Sequence, residues 1–152
     1  MGRRLAKLLH LNFFDTDQII EERTGVSIGY IFEIEGEEGF RKRESKLLEE
    51  VSKSGSAVIS TGGGVILKTK NRKVMHKYGQ VVYLKASTDI LWKRLKGCQN
   101  RPLLQTENPR QKIEQLLVDR GSVYYEQADF VIEVASDSAA QTAQKIQKII
   151  SS

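Results

Sequence analysis

An apolar, β-branched run, Ala57-Val58-Ile59-Ser60-Thr61, stops in three consecutive glycines, Gly62-Gly63-Gly64. The run reads as a buried strand. No side chain can pack at its end, and freezing three glycines is entropically costly. Such a sequence makes sense where bare backbone N–H groups come close to an anion or a polyhydroxylated ligand. The alternative is a flexible surface turn.

Outward from that strand, apolar runs alternate with helical periodicity. Leu5, Leu8 and Leu9 give residues 2–9 an amphipathic helical face without a capping residue. Leu11 to Phe14 reads as a brief strand ending in Asp15-Thr16-Asp17. Thr16 or Asp17 can cap the next helix, through Ile19, Ile20 and Arg23, which stops at Thr24-Gly25. Ser27 caps a short helix from Ile28 to Ile34, and Glu35-Gly36-Glu37-Glu38-Gly39 breaks it. Phe40 to Val51 is amphipathic, with Glu44 on its apolar stripe. A carboxylate facing a core needs a partner, and Arg41 is the nearest; a solvated pair at the stripe's edge is the alternative.

After the glycines, Asn71 to Tyr78 reads as helix and Gln80 to Lys85 as strand. Ser87 or Thr88 caps a helix ending at Gly97. Residues 98–109 form a polar loop. A helix starts at Pro109 and is interrupted or ended by Arg120-Gly121-Ser122. Phe130 to Val134 is the last strand, and a helix through Ala139, Ala143, Ile146 and Ile150 closes the chain. The alternation defines an α/β domain spanning 1–152, a parallel sheet sandwiched by helices. In such sheets ligands sit at the carboxyl ends of strands, here Asp15/Asp17 and Gly62–Gly64.

The net charge of +5 favours an anionic partner. No basic tract is interleaved with aromatics, so a nucleic-acid surface is not indicated. Cys98 is the only cysteine, which excludes an internal disulfide and a cysteine metal site and fits a reducing cytoplasm. No apolar run is long enough to span a membrane, and residues 1–9 lack a signal peptide's core.

Asp15 and Asp17 bracket one residue at a strand end. Two carboxylates so close can serve a hard cation and a hydroxyl proton. Helix capping alone accounts for one of them. Arg41, Arg101 and Arg120 each lie near a loop or helix end. Singly each reads as solvated; together they offer forked donors for carboxylate and phosphate oxygens.

Phe14-Asp15-Thr16-Asp17, Ile31-Phe32, Glu35-Gly36-Glu37 with Phe40-Arg41 and Glu44, Thr61-Gly62-Gly63-Gly64, Arg101-Pro102-Leu103-Leu104, and Arg120 with Tyr124 occur in order. In this series the chain closely resembles the shikimate kinases, from Gly2 to about Phe130. The resemblance implies a P-loop NTPase fold of the nucleoside monophosphate kinase type. It implies transfer of the ATP γ-phosphoryl group to the shikimate 3-hydroxyl, with Mg2+, by a cytoplasmic monomer. On the matching positions Asp17 activates the accepting hydroxyl and Asp15 holds magnesium through water. Arg41 and Arg120 grip the carboxylate, Glu44 orients Arg41 or substrate, and Gly62, Gly63 and Gly64 give backbone access. Arg101 comes from a lid at about 98–109 and neutralises the moving phosphoryl group. Arg94 and Pro102 fall where the family contacts adenine. The positioning and charge neutralisation that phosphoryl transfer demands agree with that set.

The sequence departs from the family in two places. Gly121-Ser122-Val123 stands where a proline is frequent. At the front, the G-x-x-x-x-G-K-[ST] loop and its strand have no counterpart, because Met1 stands just after the position of the lysine. That strand would lie between Ala57–Thr61 and Gln80–Lys85, so the expectation is a gap of one strand width, roughly 5 Å on each side. Read alone, the sequence is then a truncated record with a missed upstream start, or a shikimate-binding remnant that no longer handles ATP. A related small-molecule kinase, such as one for gluconate, is a third reading; the paired acids with Arg41 and three glycines favour a carboxylated cyclic polyol.

Overall fold

A computed structural model describes residues 1–96, 102–135 and 137–151. Helix α1 (Gly2–Leu9) ends at His10, whose φ of 56° closes it in the left-handed conformation. Strand β1 (Asn12–Asp15) leads into α2 (Thr16–Thr24). Then come α3 (Ile28–Lys53), β2 (Ala57–Ser60) and a 3-10 turn over Gly63–Leu67. Next are α4 (Thr69–Tyr78), β3 (Val82–Lys85) and α5 (Thr88–Leu95). A second 3-10 turn covers Pro102–Leu104, before α6 (Pro109–Gln127), β4 (Phe130–Glu133) and α7 (Ala139–Ile150).

Both strand pairings are parallel. β1 lies beside β2 in the register Asn12↔Ala57 to Asp15↔Ser60. β3 lies beside β4 from Val82↔Phe130 to Lys85↔Glu133. The described strands therefore form two separate pairs rather than one sheet. Between β2 and β3 is a cavity of about 530 Å³, lined by residues 57–63 and 80–84 and floored by Leu5, Ile146 and Ile150. The gap expected between these strands is there.

Burial of helical faces holds the layers. Ile20, Ile28, Ile31, Phe40, Leu47 and Val51 join α2 to α3. Leu5, Ala143, Ile146 and Ile132 join α1 and α7 to β4. Leu48, Val65 and Ile66 seat the turn after the glycines against α3. Each fully buried large aliphatic side chain contributes about 1.5–3 kcal/mol.

Several local expectations are corrected. Asp15, not Thr16 or Asp17, caps α2: its carboxylate accepts the Gln18 N–H at 3.2 Å. The break expected at 35–39 is there, at Gly36, which adopts φ 73°, ψ 178° and joins two helical stretches at a kink; the second stretch starts before the expected Phe40. Helix α6 does not stop at Arg120-Gly121-Ser122; it runs on to Gln127. A helix tolerates one glycine at about 1 kcal/mol, and no proline follows to break the ladder. Asn108 caps α6 with Pro109 in its first turn. Gly97, expected to end α5, lies outside the described residues, and α5 ends at Leu95.

Candidate active site

At the carboxyl ends of β1 and β2, Thr16 Oγ1 donates to the Ser60 carbonyl at 3.4 Å. That contact ties the start of α2 to the strand that carries the glycines. A cavity of about 460 Å³ opens beside it, lined by Asp17, Arg41, Glu44, Gly62, Gly63, Gly64 and Arg120. Phe32, Phe40, Leu104 and Tyr124 add apolar wall. All seven residues expected to hold substrate thus meet in one space.

None of the three glycines has a positive φ. Their role is space, not backbone freedom. A Cβ on Gly64 would fall inside the Arg41 guanidinium. A Cβ on Gly63 would lie 2.6 Å from the Tyr124 hydroxyl. At Gly62 a methyl would meet Glu44 Oε2 at 3.6 Å and Asp17 Oδ2 at 3.8 Å, ordinary contact distances. There it would fill the space between two carboxylates.

Arg41 and Glu44 are both buried, 8% and 1% exposed, so the solvated-edge alternative falls. Arg41 Nη1 donates to Glu44 Oε1 at 2.9 Å and Nη2 to Glu37 Oε1 at 3.3 Å. Glu37 was not expected in this role, though its i, i+4 spacing to Arg41 signals it. Arg41 Nε and Glu44 Oε2 are buried with no hydrogen bond among the described residues. Burial holds the Glu44 carboxyl above the usual carboxylate range; the Arg41 charge and hydrogen bond oppose this, and nearby Asp17 adds to it.

Arg120 is also 8% exposed. Among the described residues it makes no hydrogen bond or ion pair. Its guanidinium nitrogens are not fully enclosed: they open on the cavity, and the charge acts through space on the nearby Glu44 carboxyl.

Other expected residues stand elsewhere. Asp15 caps α2 and is not in the cavity lining. Arg94 donates to the Asp137 carbonyl at 3.2 Å, before α7, away from the cavity wall. Pro102 lines the cavity. Arg101 lies outside the described residues, as does part of the 98–109 segment. Among the described residues no three His, Cys, Asp or Glu side chains cluster to cage a metal. Sequence reading also passed over Asn71, buried on α4, whose amide donates to the Val65 carbonyl at 2.8 Å. Beside it Arg72 Nε donates to the Ile66 carbonyl at 2.6 Å, so α4 pins the turn that follows the glycines.

Fold and cavity together define an α/β protein that takes a small anionic molecule at the carboxyl ends of its parallel strands. Residues 1–151 match the family described as Shikimate kinase, and the chain belongs to that family. It is 46% identical to a shikimate kinase of Nitrosospira multiformis over 96% of this chain and 75% of the relative. A shikimate kinase of Aromatoleum aromaticum is 45% identical, over 99% of this chain and 86% of the relative. A solved shikimate kinase from Acinetobacter baumannii, in complex with shikimate, superposes with a TM-score of 0.95 at 45% identity, over 99% of this chain and 84% of that one. The fold is that of the P-loop kinases, and the function is ATP-dependent phosphorylation of shikimate in aromatic amino acid biosynthesis. No described helix is long and apolar enough to cross a membrane.

Proposed function

We propose that the cavity between α2, α3, the glycine turn and α6 is the shikimate site, and that the phosphoryl acceptor is the 3-hydroxyl. The observation that carries this reading is Arg120, whose guanidinium opens on the cavity and donates no hydrogen bond among the described residues. A bound carboxylate satisfies it and also gives the partnerless Arg41 Nε an acceptor. Asp17 faces the same space and takes the hydroxyl proton as the phosphoryl group arrives. Glu44 holds Arg41 in place through the 2.9 Å bond. The glycines let the ring lie against backbone, and the apolar walls exclude water.

Magnesium fits the residues present. It keeps most of its waters and needs only one or two carboxylates besides phosphate, and Asp15 at the strand end supplies one. When bound, the ion neutralises phosphate charge. ATP approaches from the side of Pro102; Arg101 meets the transferring phosphoryl group and Arg94 the adenine. A reducing cytoplasm suits the single cysteine of the chain.

Titration calorimetry with shikimate tests the site. The wild-type chain binds, and Arg120→Met, which keeps the apolar stem but removes the forked donor, weakens binding by about 10-fold or more. Asp17→Asn binds shikimate but lowers turnover by about 10²–10⁴-fold. Wild-type affinity in Arg120→Met overturns the assignment.

A further inference from the structure

Tyr124 stands one helical turn beyond Arg120 on α6. Its hydroxyl donates to the Gly63 carbonyl at 3.0 Å, joining residues 61 positions apart. The same hydroxyl lies 2.6 Å from where a Gly63 Cβ would be. It therefore takes the place of a side chain and bonds to the peptide as well. The phenol is itself braced. Tyr83 of β3 stacks on it with centroids 4.9 Å apart at 29°. Tyr125 stands edge-on to Tyr83 at 5.6 Å and 79°. Such a ring has few torsions to freeze and holds its hydroxyl at a fixed point. Tyr124 also forms part of the wall between the two cavities, lining both.

The Gly63 carbonyl and the Gly64 N–H belong to one rigid peptide plane. A hydrogen bond to the carbonyl fixes the tilt of that plane and polarises its N–H. We propose that Tyr124 is a positioning residue: it sets the plane of the Gly63–Gly64 peptide and through it the affinity for shikimate. This rests on the cavity being the shikimate site. Tyr124 acts through the glycine turn and is not assigned a contact with substrate.

The test compares wild type, Tyr124→Phe and Tyr125→Phe. Amide nitrogen–proton spectra are recorded without ligand, and shikimate affinity is measured by calorimetry. Tyr124→Phe keeps the ring stack and loses only the hydroxyl. Its Gly64 amide resonance shifts, and shikimate binds about fivefold to tenfold more weakly, the factor one hydrogen bond confers. Tyr125→Phe changes neither. A second pair reads the same contact through stability. Gly63→Ala places a methyl against the hydroxyl; without the hydroxyl the nearest tyrosine carbon is 3.7 Å away. The double variant Gly63→Ala/Tyr124→Phe therefore melts higher than Gly63→Ala alone. An unmoved Gly64 amide, an affinity within twofold of wild type, or a double variant that melts no higher overturns the proposal. Wild-type protein that does not bind shikimate overturns the reading of the cavity instead. In that case the ligand-free spectra and the melting pair still decide whether Tyr124 holds the turn.

Discussion

Arg41 and Arg120 are equally buried, yet of the two only Arg41 is hydrogen-bonded to carboxylates among the described residues. Arg41 is shared between Glu44 and Glu37 before any ligand arrives. Arg120 has no such partner among the described residues. The first arginine is a preorganised donor whose remaining N–H is free to recognise; the second acts on Glu44 only through space and keeps its donors for a ligand. Glu44 is the hinge of this arrangement, and its burial makes stability depend on pH. Its carboxyl sits above the ordinary value of 4.5, chiefly because burial disfavours the charged form. In the window between 4.5 and its raised value, the folded chain holds more proton than the unfolded chain. Stability then falls as pH rises through that window, by at most about 1.4 kcal/mol per pH unit for one proton. Glu44→Gln has no proton to exchange. Urea unfolding across mildly acidic pH is expected to show the wild-type advantage over Glu44→Gln shrinking as pH rises. An advantage that grows with pH would contradict the raised carboxyl.

Among the elements, α3 shows best how local sequence and site are connected. Its first part packs Ile28 and Ile31 against α2, and its last part carries Phe40, Arg41 and Glu44. Gly36 joins them at φ 73°, ψ 178°, a conformation L side chains avoid. Gly36→Ala is expected to cost about 1–3 kcal/mol in urea unfolding. Shikimate affinity should fall with it, because the kink aims the segment that carries Arg41. The interruption at Gly36 was legible in Glu35–Gly39; the early resumption of helix before Phe40 was not, since the composition of 37–39 fits loop and helix alike. Capping shows the same degeneracy. Ser27, Asn108 and Ser138 precede clear helical periodicity, and each caps its helix. In Asp15-Thr16-Asp17 every residue can accept an N–H, so only the observed strand length decides for Asp15. The cavity residues were found because their types suit the chemistry. What they do to each other was not readable. Thr16 to Ser60 and Tyr124 to Gly63 span 44 and 61 positions, and no periodicity reports a contact that distant. The glycine triplet lines the cavity, and what neighbours fill there are the side-chain positions of Gly63 and Gly64.

For the molecule as a whole, the opening between β2 and β3 divides the described strands into two parallel pairs. Three hydrophobic clusters, not a continuous ladder of hydrogen bonds, hold the layers together. In a parallel pair, alternate residues of each strand direct their backbone groups toward the neighbour and the others away from it. Along β2 and β3 the outward set faces the cavity. Placed in heavy water, these two strands should therefore take up deuterium in a comb: every second amide quickly, its neighbours at a rate set by opening of the pair. Uniform protection along β2 or β3 would mean that the opening is closed in solution. A comb would let one isotope measurement count, residue by residue, the backbone groups that face the opening.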